Sequence, residues 1–68
     1  MISYDKSWVT MEEKGINYYQ LTTKYGVSKS LLSRMRKGNW VSTHSLNMLC
    51  NILDCNLEDI ATFTKDEQ

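Results

Sequence analysis

The sequence predicts an all-α protein, a bundle of five short helices in one domain. Three observations carry this expectation. Proline is absent and glycine occurs only at Gly15, Gly26 and Gly38, so the chain can run as helix between those marks. Polar residues of the helix-capping type recur at intervals, each flanked by apolar side chains. Apolar residues repeat at spacings of three and four, and strand-like alternation is missing.

The first helix starts near Asp5 and ends at Gly15, with Tyr4, Trp8 and Met11 on one face. The second opens at Asn17. Gln20 follows in the capping-box position, and Ile16 and Leu21 flank the cap as a hydrophobic staple. It stops at Gly26, after Lys24 and Tyr25. The third opens at Ser28, between Val27 and Leu32, and stops at Gly38, after Arg36 and Lys37. Leu31, Leu32 and Met35 line it. Glycine just past a helix end takes the left-handed conformation without penalty, and basic side chains in the last turn suit the dipole. The fourth helix opens at Ser42, between Val41 and Leu46, and covers about 43–53. Leu46, Leu49, Ile52 and Leu53 share its inner face, with Cys50 beside them. The fifth opens at Asn56, with Asp59 as its capping-box partner and Cys55 and Ile60 as its staple, and covers about 57–63. Each cap side chain can accept a hydrogen bond from a free amide of its helix. Residues 1–64 thus form the domain, and 65–68 a frayed tail.

A chain of 68 residues holds one domain with a small core. No apolar run approaches the roughly 20 residues that span a bilayer. The opening stretch MISYDKSWVT lacks the basic-then-apolar pattern of a signal peptide. The expected location is the cytoplasm, where Cys50 and Cys55 stay reduced. Their apolar neighbours mark them as small core side chains rather than a redox pair. Zinc is not expected, because two cysteines and His44 do not complete a set of four ligands. An enzyme is not expected either. The chain offers no paired nucleophile and base and no glycine-rich phosphate loop, and it is short for a substantial pocket. No cofactor, small-molecule ligand or membrane partner is implied.

Eight basic and eight acidic residues cancel, but they are segregated. Between positions 14 and 53 there is no acidic residue. That stretch holds Lys14, Lys24, Lys29, Arg34, Arg36, Lys37 and His44. A basic middle between acidic ends makes a one-sided field that attracts polyanions.

Inside that middle, residues 17–38 read as two short helices joined at Gly26. This is a helix-turn-helix pattern. The turn needs a residue that tolerates positive φ, which Gly26 supplies. Close packing of the two helices needs a small residue, here Thr22, and apolar ones, here Val27, Leu32 and Met35. With these residues the chain resembles the Cro- and lambda-repressor-type regulators, also called XRE-type, and in particular their compact stand-alone bacterial and phage members. The stretch from Met1 to Tyr4, Trp8 in the first helix, and Leu53, Asp54 and Cys55 before the last helix extend the resemblance over residues 2–63. Two positions depart from the family's habit. Thr22 stands where alanine is common, and Lys29 and Ser30 stand where glutamines often open the second helix of the pair.

The resemblance implies a lambda-repressor-like bundle that binds double-stranded DNA and regulates transcription, as a repressor. It also implies that residues 28–37 lie in the major groove. Ser28, Lys29, Ser30, Ser33 and Arg34 are then the candidates for base edges, with Lys29 and Arg34 suited to the acceptors of guanine. Asn17 and Tyr18 would meet phosphates of one strand, and Arg36, Lys37, Asn39, Thr43 and His44 those on the other side. Family habit implies a homodimer on a two-fold operator. Trp40 sits in a loop that requires no large aromatic. It is expected to pack over the core edge, with a dimer contact or stacking on the DNA backbone as alternatives. An interaction module on the same fold, antitoxin-like or an adaptor, is the competing reading. It would need an exposed apolar patch more than a basic face.

Overall fold

The computed structural model describes residues 1–66. Its elements are, in order, strand β1 (Ile2–Ser3), helices α1 (Asp5–Glu13), α2 (Tyr18–Thr23), α3 (Lys29–Arg36) and α4 (Thr43–Leu53), a single 3₁₀ turn (Leu57–Asp59), and strand β2 (Thr62–Phe63).

The capping signals act as read. Asn17 and Gln20 form a reciprocal capping box, with main-chain to side-chain bonds of 2.9 and 2.8 Å. Ser28 Oγ accepts from Leu31 N–H at 3.0 Å, and Ser42 Oγ from Ser45 N–H at 3.1 Å. Each bond satisfies an amide that would otherwise lack a partner in the first turn. The helix stops also hold. At the end of α3, Asn39 N–H reaches back to the Arg34 carbonyl at 2.8 Å while Gly38 sits at φ +74°. α4 ends without glycine. Asp54 takes the left-handed conformation at φ 50°, and Cys55 N–H returns to the Cys50 carbonyl at 3.1 Å. Asp is among the side chains that tolerate this region.

The expected fifth helix is corrected. The signal at Asn56 is real, since the Asp59 carboxylate accepts from Asn56 N–H at 2.9 Å. The helix does not propagate beyond one turn. Thr62 and Phe63 instead pair antiparallel with Ile2 and Ser3, in the register Ile2 to Phe63 and Ser3 to Thr62. Ile2, Thr62 and Phe63 are β-branched or aromatic and favour extended backbone. The fold is therefore four α-helices, a 3₁₀ turn and a two-stranded ribbon, rather than five helices. Of the tail expected at 65–68, the Asp66 carboxylate lies 2.9 Å from the Met1 ammonium, while Glu67 and Gln68 lie outside the described residues.

The core joins all four helices. Tyr4 precedes α1 and Met11 comes from it; Leu21 comes from α2, with Val27 after the turn. Leu31, Leu32 and Met35 come from α3, Leu49 and Leu53 from α4, and Ile60 follows the 3₁₀ turn. Ser7 and Thr10 are also buried, and both are satisfied. Ser7 Oγ donates to the Tyr4 carbonyl, and Thr10 Oγ1 donates to the Asp59 carbonyl at 2.6 Å. The second bond ties α1 to the 3₁₀ turn. Lys6 and Lys14 reinforce it, with Nζ donating to the carbonyls of Glu58 and Asp54 at 3.4 and 3.2 Å. Among the described residues, no helix is long and apolar enough to cross a membrane.

Cys50 and Cys55 are free thiols, half-buried at the end of α4. Burial pushes the Cys55 thiol up, and Cys50 and the Asp59 carboxylate push the same way against the opposing charge of Lys14. Cys55 should therefore alkylate more slowly at mildly alkaline pH than a thiol in an unstructured peptide. A rate equal to the peptide's would contradict the burial.

Gly26 makes the turn between α2 and α3 at φ +69°, and a methyl group placed on it would meet no atom within 4 Å. The cost of Gly26→Ala is then conformational alone. It should be about 1–2 kcal/mol, read as a shift in the urea midpoint at constant slope.

Candidate nucleic-acid interface

α2 and α3 are fixed to each other by the turn between them. Tyr25 N–H donates to the Gln20 carbonyl at 3.3 Å, and Val27 N–H to the Leu21 carbonyl at 2.9 Å. Leu21, Val27 and Leu32 are 0, 2 and 1% exposed. Thr22 is half-buried, and its hydroxyl donates to the Tyr19 carbonyl at 2.9 Å, so the small-residue position carries no unsatisfied group.

With Leu31, Leu32 and Met35 turned inward, α3 presents Lys29, Ser30, Arg34, Arg36 and Lys37 outward, and Ser33 half-buried between them. Ser28 is exposed, but its oxygen already accepts from Leu31 N–H, so its hydroxyl proton is what it has left to offer. Asn17 is in a similar position. Its Oδ1 is taken by Gln20 N–H, which leaves the amide NH₂. Asn39 at the start of the α3–α4 loop and Thr43 and His44 in the first turn of α4 are exposed.

Arg36 departs from its expected neighbourhood. By sequence it groups with the α3–α4 loop. Its guanidinium instead lies 5.0 Å from the ring centre of Tyr18 and 5.9 Å from that of Trp8. It therefore stands beside the start of α2 and ties three helices together. Trp8, expected only on the inner face of α1, stands beside this guanidinium as well. The sequence carries only part of the signal. Arg36 lies four residues after Leu32, so it shares the edge of the apolar face with it.

Charge on this surface is uncompensated. Lys24, Lys29, Arg34, Arg36 and Lys37 lie on or next to α2 and α3. Among the described residues, none of them is within ion-pair distance of a carboxylate. Lys24 instead lies over the Tyr25 ring, 5.5 Å from its centre. Lys14 leaves the group, because its ammonium turns to the Asp54 carbonyl. The described residues include no cluster of three or more side chains suited to holding a metal ion.

The packing expected of Trp40 over the core edge is corrected. Its side chain is 90% exposed. It stands with Met1, Ile2, Tyr4 and Phe63 around a shallow groove beside the ribbon.

A helix-turn-helix whose second helix displays free cations and hydroxyls is the framework of a DNA-binding domain. The comparison with known families agrees. The model of the Cro/C1-type helix-turn-helix DNA-binding domain matches residues 8–66, and the chain belongs to this family. It is also similar to the crystal structure of a transcriptional regulator, VanUg. That similarity has 31% identity and a TM-score of 0.79, over 90% of this chain and 81% of the other. No curated protein matches the sequence.

The Arg36 arrangement can be tested by a double-mutant cycle on stability. Arg36→Met and Tyr18→Leu should show a coupling of about 0.5–1 kcal/mol. Strict additivity would mean that the guanidinium gains nothing from the ring.

Proposed function

We propose that the protein is a sequence-specific regulator of transcription that binds double-stranded DNA, a cytoplasmic repressor acting as a homodimer on a two-fold operator. The observation that carries this reading is the set of cations along α2 and α3 that meet no carboxylate among the described residues, in a chain of the Cro/C1-type family.

In this reading α3 enters the major groove, N-terminus first. An eight-residue helix is about 12 Å long, which matches the width of that groove. Lys29 and Arg34 read guanine O6 and N7. Ser28, Ser30 and Ser33 make adaptable contacts, since a hydroxyl both donates and accepts. Asn17 and Tyr18 at the start of α2 hold one phosphate strand, helped by Arg36 beside them. Lys37, Asn39, Thr43 and His44 hold the other side. The first turn of α4 carries no acidic residue, so the helix dipole there favours phosphate. Repression asks little more than occupancy of a promoter. A homodimer brings two α3 helices to half-sites one helical turn apart.

The direct test is binding to random duplexes at low and moderate salt, followed by selection and sequencing of the bound fraction. A two-fold motif and a steep salt dependence are expected. No binding at low salt would end this reading. On the selected operator, Arg34→Ala should lower the specific affinity by about 1–3 kcal/mol and narrow the gap to random DNA. Lys37→Ala should weaken specific and random binding alike, and reduce the salt slope by about 0.9.

A further inference from the structure

Cys50 and Cys55 pack against the edge of the core, yet both stay half-buried, and neither has a part in DNA binding as read above. The end of α4 makes them neighbours. The amides of Asp54 and Cys55 both return to the Cys50 carbonyl, the second at 3.1 Å. Asp54 permits this by taking the left-handed conformation at φ 50°. In a helix ending of this kind, the side chain whose carbonyl is shared commonly touches the one just past the left-handed residue. Here both are thiols. Such a closure brings two α-carbons to about 5–6 Å, within the roughly 4.4–6.8 Å that a disulfide spans. The pair interacts already as thiols, since Cys50 is second only to burial in pushing the Cys55 thiol up.

The two thiols differ in access. Cys55 lines a cleft between α1 and the 3₁₀ turn, and Cys50 does not. Glu13, Asp54 and Asp59 line that cleft too, against the one cation Lys14. An excess of carboxylates repels an anionic reagent and admits a neutral or cationic one.

We propose that Cys50 and Cys55 form a reversible modification site, a dithiol that a non-anionic low-molecular-weight disulfide oxidises to an intramolecular bridge across the end of α4. Cys55 reacts first, through the cleft. It loses its proton and attacks one sulfur of the reagent, and the first reagent thiol leaves with a proton. Cys50 then loses its proton and attacks the Cys55 sulfur, and the second reagent thiol leaves in the same way. Two S–H bonds of the protein are exchanged for one S–S bond, and two electrons reduce the S–S bond of the reagent. The bridge pins the left-handed turn at Asp54, and with it the start of the segment that carries Asp59 to Thr10 of α1. None of this depends on whether the chain binds DNA.

The test uses the whole chain, with cystamine as the cationic probe and glutathione disulfide as the anionic one. Intact mass should fall by about 2 Da, the two hydrogens lost when one S–S bond forms, and peptide mapping should join Cys50 to Cys55 within one chain. In dithiothreitol redox buffers, the equilibrium constant for closing the bridge should be about tenfold or more larger in the native protein than in the urea-unfolded chain. The oxidised protein should then melt about 5 °C higher than the reduced one. Cystamine should react about tenfold faster than glutathione disulfide at low salt, with the gap narrowing as salt rises. Cys50→Ser should stop at a stable mixed disulfide on Cys55. Asp54→Gly should keep the native constant within about twofold, and Asp54→Val should lose most of the native gain, because a β-branched residue resists positive φ. Equal constants in native and unfolded wild-type chain overturn the proposal. So does a wild-type protein that stops at the mixed disulfide, or that joins two chains instead of closing within one.

Discussion

At Gly26 the chain turns between two helices, and the amide of Val27 comes back to the carbonyl of Leu21. That closure fixes the angle between α2 and α3, and the angle decides which face of α3 can be buried. Leu31, Leu32 and Met35 go in. Lysine, arginine and serine are left outside because nothing else remains on the opposite face. The exposed basic face of α3 is thus a by-product of core packing around one left-handed residue. Ten buried apolar side chains serve this end, and none of them belongs to the surface they orient.

Most of the fold was legible in the sequence because its signals are local. Asn17, Ser28 and Ser42 each announce a helix start within a few residues, and a cap is a contact between near neighbours. The stop after Leu53 was legible too, although its left-handed residue is Asp54 rather than a glycine. The error at the chain's end has a physical reason. Asn56 and Asp59 carry a genuine helix-start signal, but such a signal fixes where a helix begins and not how far it runs. What halts it is a strand at positions 2 and 3, far away in sequence, offering partners to Thr62 and Phe63.

The candidate site divides in the same way. The outward set on α3 follows from helical periodicity, and residues 28–37 contain it as read. Arg36 and Trp40 could not be placed by spacing alone. The position of Arg36 depends on where Trp8 and Tyr18 arrive, on two other helices. Trp40 is expected to pack over the core edge, yet its side chain stays 90% exposed, with Tyr4 and Val41 lining the same groove. The two residues are opposite outcomes of one rule. A cation that finds aromatic faces is drawn against the body of the protein, and an aromatic that finds no cover remains outside it.

The ribbon has a consequence for the order in which the molecule assembles. Met1 and Thr64 meet across 63 positions of chain, whereas the helices and their caps close over a few residues each. Loop-closure entropy makes the distant contact the slower to form, and its two-residue strands return little enthalpy before the helices have docked. The terminal strands are accordingly expected to zip up after the helical core has closed, and to be the first segment to open in native-state fluctuations. Helix α3 and the edge formed by Ile2 and Phe63 would then mature at different times. A nascent chain would present α3 in its final orientation before that edge exists.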